Sequence, residues 1–443
     1  MLKSIFKFSG PVILSQLGYV VMGMVDLFFL GKINSTVLAA GILATQVHLM
    51  SLVFCMGFGY ALTPWIQQFR YSHPALWNFQ TLVAAFTGLL IAGFFIALTP
   101  LIIACFAFFQ QPPEVIQAAI PFLWILQWSL LPLSLFFSCK QAAEAFEKTK
   151  YALWISLLGN GINALANPVM IFGTSFIPAF GYQGSAYATL GSRLIMGIAF
   201  MLILKPNWPQ LIKTLQTSEF LKFKALYRCF LVPGWHTAWQ VTFELTAFTA
   251  AGLMCGFLGK TALDAHGLVL SWASFSFMVA QGISTAGVVY VSGYLAQKKW
   301  KTMALYIKFQ SRWVLFIMLG FALLFIALRW TLPRLFSSDQ DIVLLASQLM
   351  WVLAAFQCFD GLQVNLSAYL RGLQDTRWPM VLTFVGYWLI SIPLSYVFGF
   401  VLHGKALGIW LGLLSGLAFM AAAFWFRLRW LMRHRFNSNL QGS

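Results

Sequence analysis

The chain of 443 residues could fill two or three soluble domains, yet 60% of its residues are hydrophobic, 17% aromatic and only 9% charged. A water-facing surface usually draws on about a quarter charged residues, and a mean hydropathy of +0.79 leaves lipid as the solvent. The 28 Lys+Arg against 11 Asp+Glu give a net +17. The basic residues lie in short clusters between long apolar runs, however, so they read as topology signals and not as a nucleic-acid face.

A span needs about 20 apolar residues. In chain order the runs predict twelve helices, at 8–31, 36–66, 79–109, 115–139, 150–172, 182–205, 228–258, 262–296, 303–335, 343–370, 378–401 and 405–432. The first run is too long for a secretory signal and lacks a small-residue cleavage site. Six cysteines (Cys55, Cys105, Cys139, Cys229, Cys255, Cys358) fall in or beside apolar runs without a CxxC pair, so neither a disulfide framework nor a zinc site is expected. With a cytoplasmic N-terminus, about 20 basic residues, from Lys3 to Arg435, fall on the inner side. Five (Lys32, Lys260, Arg329, Arg334, Lys405) fall on the outer side. Both termini are then cytoplasmic and the span count is even.

The longest polar connection, 206–227, reads as a cytoplasmic linker. It separates a first lobe, 1–205, from a second, 228–436, with a short tail at 437–443. The halves echo each other: Leu30-Gly31-Lys32 closes span 1, and Leu258-Gly259-Lys260 closes span 7. Two six-helix halves of the same orientation imply a parallel repeat, a plan common in transporters. The fold class is therefore an all-α polytopic membrane protein of two pseudo-symmetric lobes. It is expected to work as a monomer in a bacterial inner membrane, with the bilayer and small molecules as partners and no nucleic acid.

Eight of the eleven acids, including Glu144 and Glu147, read as solvated loop charges. Three do not: Asp26 in span 1, Glu244 in span 7 and Asp360 in span 10. A carboxylate at the bilayer centre costs roughly 2.5–3.5 kcal/mol on the mildest scale, so it must face a cavity, bind a cation or be protonated. Arg193 is the only deep basic residue, and it is no obvious counter-ion. Uncompensated acids suit a mobile cation, H⁺ or Na⁺, and Glu244 with Asp360 could share one Na⁺ or one proton. Asn163 and Asn167, at i and i+4, share a helix face, and Gln357 lies one turn before Asp360. These amides are cavity candidates, or glue between helices. The glycines at Gly252/Gly256 and at Gly408, Gly412 and Gly416 read as close-packing positions. Pro11, Pro64, Pro132, Pro168, Pro233 and Pro393 are possible kinks. No phosphate loop, nucleophile motif or soluble nucleotide domain appears, so neither an enzyme nor an ATP-driven pump is expected and no cofactor is implied.

Across its whole length the sequence resembles the multidrug and toxic compound extrusion (MATE) family. The resemblance rests on Val25-Asp26 with Gly31, on Asn163-x-x-x-Asn167 followed by Ile171-Phe172-Gly173, and on Gly181 through Gly184 to Thr189. It continues with Phe243-Glu244, with Asp360 followed by Leu370-Arg371-Gly372 and Asp375-Thr376, and with Tyr387-Trp388, Pro393, Gly404, Gly408, Trp410 and Gly412. Having both Glu244 and Asp360 is similar to the NorM-type branch. The resemblance implies a secondary active multidrug exporter of amphipathic, mostly cationic compounds, coupled to H⁺ or Na⁺. It places Asp26 in an N-lobe site and Glu244 with Asp360 in a C-lobe cation site. One position departs: an aromatic hydroxyl one turn before the helix 10 acid in some Na⁺-coupled members is Phe356 here. Two alternatives stay open. A lipid-linked oligosaccharide flippase of the same superfamily would want a basic cavity, and a multi-pass membrane enzyme would want a surface cluster such as Glu144, Glu147 and Lys148.

Overall fold

The computed structural model describes residues 2–73, 76–106, 112–204 and 223–441. The expected linker 206–227 lies outside the described residues as far as residue 222, as do the last two residues of the tail.

The elements described are helical. The first seven are α1 Leu2–Gly31, α2 Ser35–Gly59, α3 Leu62–Phe69, α4 Leu76–Ala104, α5 Pro113–Trp128, α6 Leu130–Ala145 and α7 Thr149–Phe172. They are followed by α8 Gln183–Leu204, α9 Phe223–Phe257, α10 Lys260–Ala296, α11 Trp300–Ala327, the single turn α12 Thr331–Arg334 and α13 Gln340–Gly372. The helical span Arg377–Val401 (α14) contains two π-helical stretches, Val385–Ser391 and Val397–Val401, and α15 covers Lys405–Gln441. Lipid offers no partner to backbone N–H and C=O, so each span satisfies its own ladder. Among the described residues eleven spans are long and apolar enough to cross a membrane, α2–α3 and α5–α6 each counting as one. The twelfth expected span is α9, which at 35 residues has the length while Gln240 and Glu244 dilute its apolar character.

Prolines account for both broken spans. A proline ring clashes with the carbonyl four residues back and supplies no N–H. Pro64 sets the break at Tyr60–Ala61, and Pro132 sets the break after Trp128. Pro11, Pro100, Pro168 and Pro233 stay inside continuous helices. In α14 the first π-helical stretch ends two residues before Pro393.

Contacts divide the chain into two compact units, Leu14–Ala238 and Met1–Ile13 with Trp239–Ser443, so the divisions fall inside α1 and α9. In the Leu14–Ala238 unit α7 packs on α8, α2 on α5 and α6 on α8. Its core includes Phe122, Phe136 and Phe200. In the other unit α13 is central, packed by α10, α11 and α15 around Tyr306, Trp410 and Phe424. Three glycines of α15 bring its backbone close to that of α14. A Cβ on Gly408 would overlap the Phe398 carbonyl, one on Gly412 would overlap the Ser395 backbone, and one on Gly416 would stand 2.6 Å from the Gly386 oxygen. These glycines are close-packing positions, as their spacing suggested.

Candidate functional site

Each unit holds one acidic centre. In the Leu14–Ala238 unit, α1 carries Asp26, α7 carries Asn163 and Asn167, and α8 carries Thr189. The i, i+4 spacing on α7 aims both amides at one carboxylate oxygen. Asn163 Nδ2 donates to Asp26 Oδ1 at 3.1 Å and Asn167 Nδ2 donates to the same atom at 2.8 Å. Thr189 Oγ1 donates to Oδ2 at 2.6 Å and accepts from Asn163 Nδ2 at 3.1 Å. Asp26 is half-buried, whereas Asn163, Asn167 and Thr189 are buried. Two amides and one hydroxyl thus converge on the single carboxyl group of Asp26. The Oδ1 atoms of Asn163 and Asn167 are buried without a donor. Carboxylate and amide oxygens are the ligand types that hard cations take.

α8 reaches this centre because Gly184 lets it lie on the end of α7. A Cβ at Gly184 would overlap the carbonyl group of Met170 and stand 2.7 Å from the Ile171 nitrogen. One turn beyond Thr189, Arg193 is the deep basic residue expected from sequence. Its Nη1 donates to His48 Nε2 at 3.0 Å and to Ser129 Oγ. His48 Nε2 therefore accepts, so Nδ1 carries the proton and donates to Gln127 Oε1 at 3.4 Å.

In the other unit Glu244, half-buried on α9, accepts at Oε1 from Gln363 Nε2 (3.2 Å, α13) and from Tyr387 Oη (3.1 Å, α14). Asp360 is buried on α13, one turn before Gln363, and lies within electrostatic reach of Glu244. Gln363 thus stands next to both acids. Phe248 lies between the rings of Phe356 and Tyr387, with centroid separations of 6.1 and 5.7 Å. Gln357, one further turn along α13, is buried and both its amide atoms lack hydrogen-bond partners, as do both ring nitrogens of His266 and the indole nitrogen of Trp410. His266 and Phe356 each stand 5.7 Å from Trp410.

The three intramembrane acids therefore fall into two clusters, one around Asp26 and one around Glu244 and Asp360. Among the described residues none of the three has an ion-pair partner, unlike Glu144 with Lys140 and Asp375 with Arg427. Glu144 corrects an expectation. It is not a solvated loop charge but a buried residue of the last turn of α6, 3.8 Å from buried Lys140, and Glu147 and Lys148 are exposed beyond it. The cause is α3, which caps that helix end: Gln67 and Arg70 donate to the Ala145 carbonyl, and Thr63 donates to Gln141. Thr189, Gln363 and Tyr387 were not singled out as site residues from sequence. Thr189 and Tyr387 stand within motifs that carry the family resemblance, and Gln363 lies i, i+3 from Asp360.

The MatE family model matches this chain twice, at residues 11–169 and 237–397, one match to each half of the proposed repeat. The "Probable multidrug resistance protein NorM" of Mesorhizobium japonicum is 30% identical over 450 residues, covering 98% of this chain and 94% of that protein. A protein of the same name from Pseudomonas putida is 31% identical over 458 residues, covering 98% and 95%. Among solved structures, the eukaryotic MATE transporter AtDTX14 superposes with a TM-score of 0.85 at 18% identity, covering 97% of this chain and 95% of that one.

Proposed function

Because the chain belongs to the MatE family and is a multi-pass membrane transporter of the NorM-like kind, we propose that it is a multidrug exporter driven by H⁺ or Na⁺ moving inward. The observation that carries this reading is the state of its acids: three intramembrane carboxylates in two centres, Asp26 and Glu244 held by amides and hydroxyls and Asp360 buried beside Glu244, with no basic side chain in ion-pair contact among the described residues. A carboxylate so held is neutralised by a mobile cation or exposed to water, and alternating access presents it to each in turn. Asp26 with the Asn163 and Asn167 oxygens forms one cation site, and Glu244 with Asp360 forms the other. Amphipathic organic cations are the substrates: an acidic centre attracts their charge, and the surrounding rings accept their apolar bodies without fixed directionality. The phosphate headgroups of a flippase substrate would meet charge of the wrong sign.

The positive-inside bias supports cytoplasmic termini in a bacterial inner membrane, and each chain carries both centres, so a monomer suffices. The test is efflux of a fluorescent cation from proteoliposomes under separate proton and Na⁺ gradients. One gradient is expected to drive export. Asp26→Asn, Glu244→Gln and Asp360→Asn, each folded and inserted, are expected to abolish it singly, since the amides keep shape but cannot complete the charge cycle. Normal export by all three variants would overturn the assignment.

A further inference from the structure

The last turns of α15 form a pocket of about 550 Å³ with the start of α14, walled by Trp378, Arg427, Arg429, Trp430, Arg433 and His434. Its charge is lopsided. Arg427 is fixed: Nε meets Asp375 Oδ2 at 2.7 Å, and its guanidinium lies over Trp378 (5.1 Å) and Trp430 (4.7 Å). Arg429 lies over Trp425 at 5.0 Å, and Arg433 is exposed. Among the described residues neither meets a carboxylate, so three guanidiniums face one acid. The aromatic wall is equally ordered: His434 stacks on Trp430 with centroids 4.9 Å apart and its Nδ1 donates to the Trp430 carbonyl at 3.0 Å.

Both the acyl-chain and headgroup parts of a lipid have a counterpart here. Trp425, Phe426 and Trp430 are 44%, 63% and 48% exposed, so the pocket opens onto the apolar outer face of a membrane span. Indole rings at the end of a span belong at the headgroup level, and arginines there are matched to phosphate geometry. A soluble anion would use the guanidiniums but gain nothing from the rings. We propose that this pocket binds the headgroup of an anionic phospholipid, with the phosphodiester on Arg429 and Arg433 and the glycerol and upper acyl chains on Trp378 and Trp430. The inference rests on the membrane fold and stands whatever ion or drug is transported.

The test is lipid titration of the full chain in detergent, read by native mass spectrometry, with phosphatidylglycerol, phosphatidylcholine of the same chains, and inorganic phosphate as competitor. Phosphatidylglycerol should bind in preference to phosphatidylcholine. Two lost surface contacts should weaken it by about thirtyfold in R429Q/R433Q, while R429K/R433K, which keeps the charges without the guanidinium fork, should fall between that variant and the parent. Trp430→Leu should weaken the lipid further than any change in phosphate binding. Unchanged phosphatidylglycerol affinity in R429Q/R433Q would overturn the site. Displacement of the lipid by millimolar inorganic phosphate, with no effect of Trp430→Leu, would reduce it to a free-anion site and overturn the lipid assignment.

Discussion

Gly184→Ala tests how the Asp26 centre is assembled without touching any of its members. The new methyl would overlap the Met170 carbonyl and sit 2.7 Å from the Ile171 nitrogen, both backbone atoms that cannot rotate aside. Ordinary contact is about 3.5–4.0 Å, so α8 must withdraw by about 1 Å. Thr189 lies five residues along the same helix, and its 2.6 Å hydrogen bond to Asp26 would stretch to about 3.6 Å, which is no longer a hydrogen bond. Loss of one donor to a charged group is worth about 1.5–3 kcal/mol, and overpacking adds about 1–3 kcal/mol of destabilisation. Efflux of a fluorescent cation should therefore fall by about 10- to 150-fold, together with a lower melting temperature in detergent. Gly161→Ala is the control, because that glycine is exposed on α7 with nothing within 4 Å of a Cβ. It should export normally and melt no lower than the parent. If Gly184→Ala matches Gly161→Ala in both measurements, the helix contact does not set the geometry of the centre and the argument fails.

Tyr387→Phe removes a hydroxyl 3.1 Å from Glu244 and should cost at least tenfold in efflux, by the same 1.5–3 kcal/mol scale of a charged hydrogen bond. In a Glu244→Gln background it should cost nothing further, and additive losses would separate the two residues. Gln357→Leu should raise the melting temperature, because it replaces a buried amide whose two polar atoms are unpaired, a burden of about 1–3 kcal/mol. A lower melting temperature would show that the amide is satisfied in the protein, and raised stability with intact efflux would remove it from the substrate cavity.

Charge contrast made the acids legible. Asp26, Glu244 and Asp360 interrupt apolar runs, and few structural reasons keep a carboxylate there. Asn163 and Asn167 announced a shared face by their spacing alone. Thr189, Gln363 and Tyr387 gave no comparable signal, because hydroxyls inside spans commonly bond their own helix, as Thr81 does to Trp77 at 2.8 Å and Thr246 does to Thr242 at 2.7 Å. Only tertiary packing reveals which one turns toward an acid. Packing also decided Glu144, which local sequence leaves at a helix end and α3 covers. The prolines show the same limit: Pro64 and Pro132 break their spans, whereas Pro168 and Pro233 do not, although all four were visible beforehand as possible kinks.

The seam between α14 and α15 has an evolutionary consequence. Gly408, Gly412 and Gly416 press α15 onto main-chain atoms of Phe398, Ser395 and Gly386, and Ser395 Oγ donates to the Ile409 carbonyl at 2.9 Å. Cohesion there resides largely in the backbone, whose chemistry is the same in every sequence. Exposed positions of the hairpin, such as Leu389, Tyr396 and Leu411, are free to drift among apolar residues without loosening it. The three glycines have no such latitude, since even one added methyl meets main chain. Mutational freedom in this hairpin is thus divided by face, and descendants of this sequence could diverge widely along its outer surface while inheriting an unaltered joint.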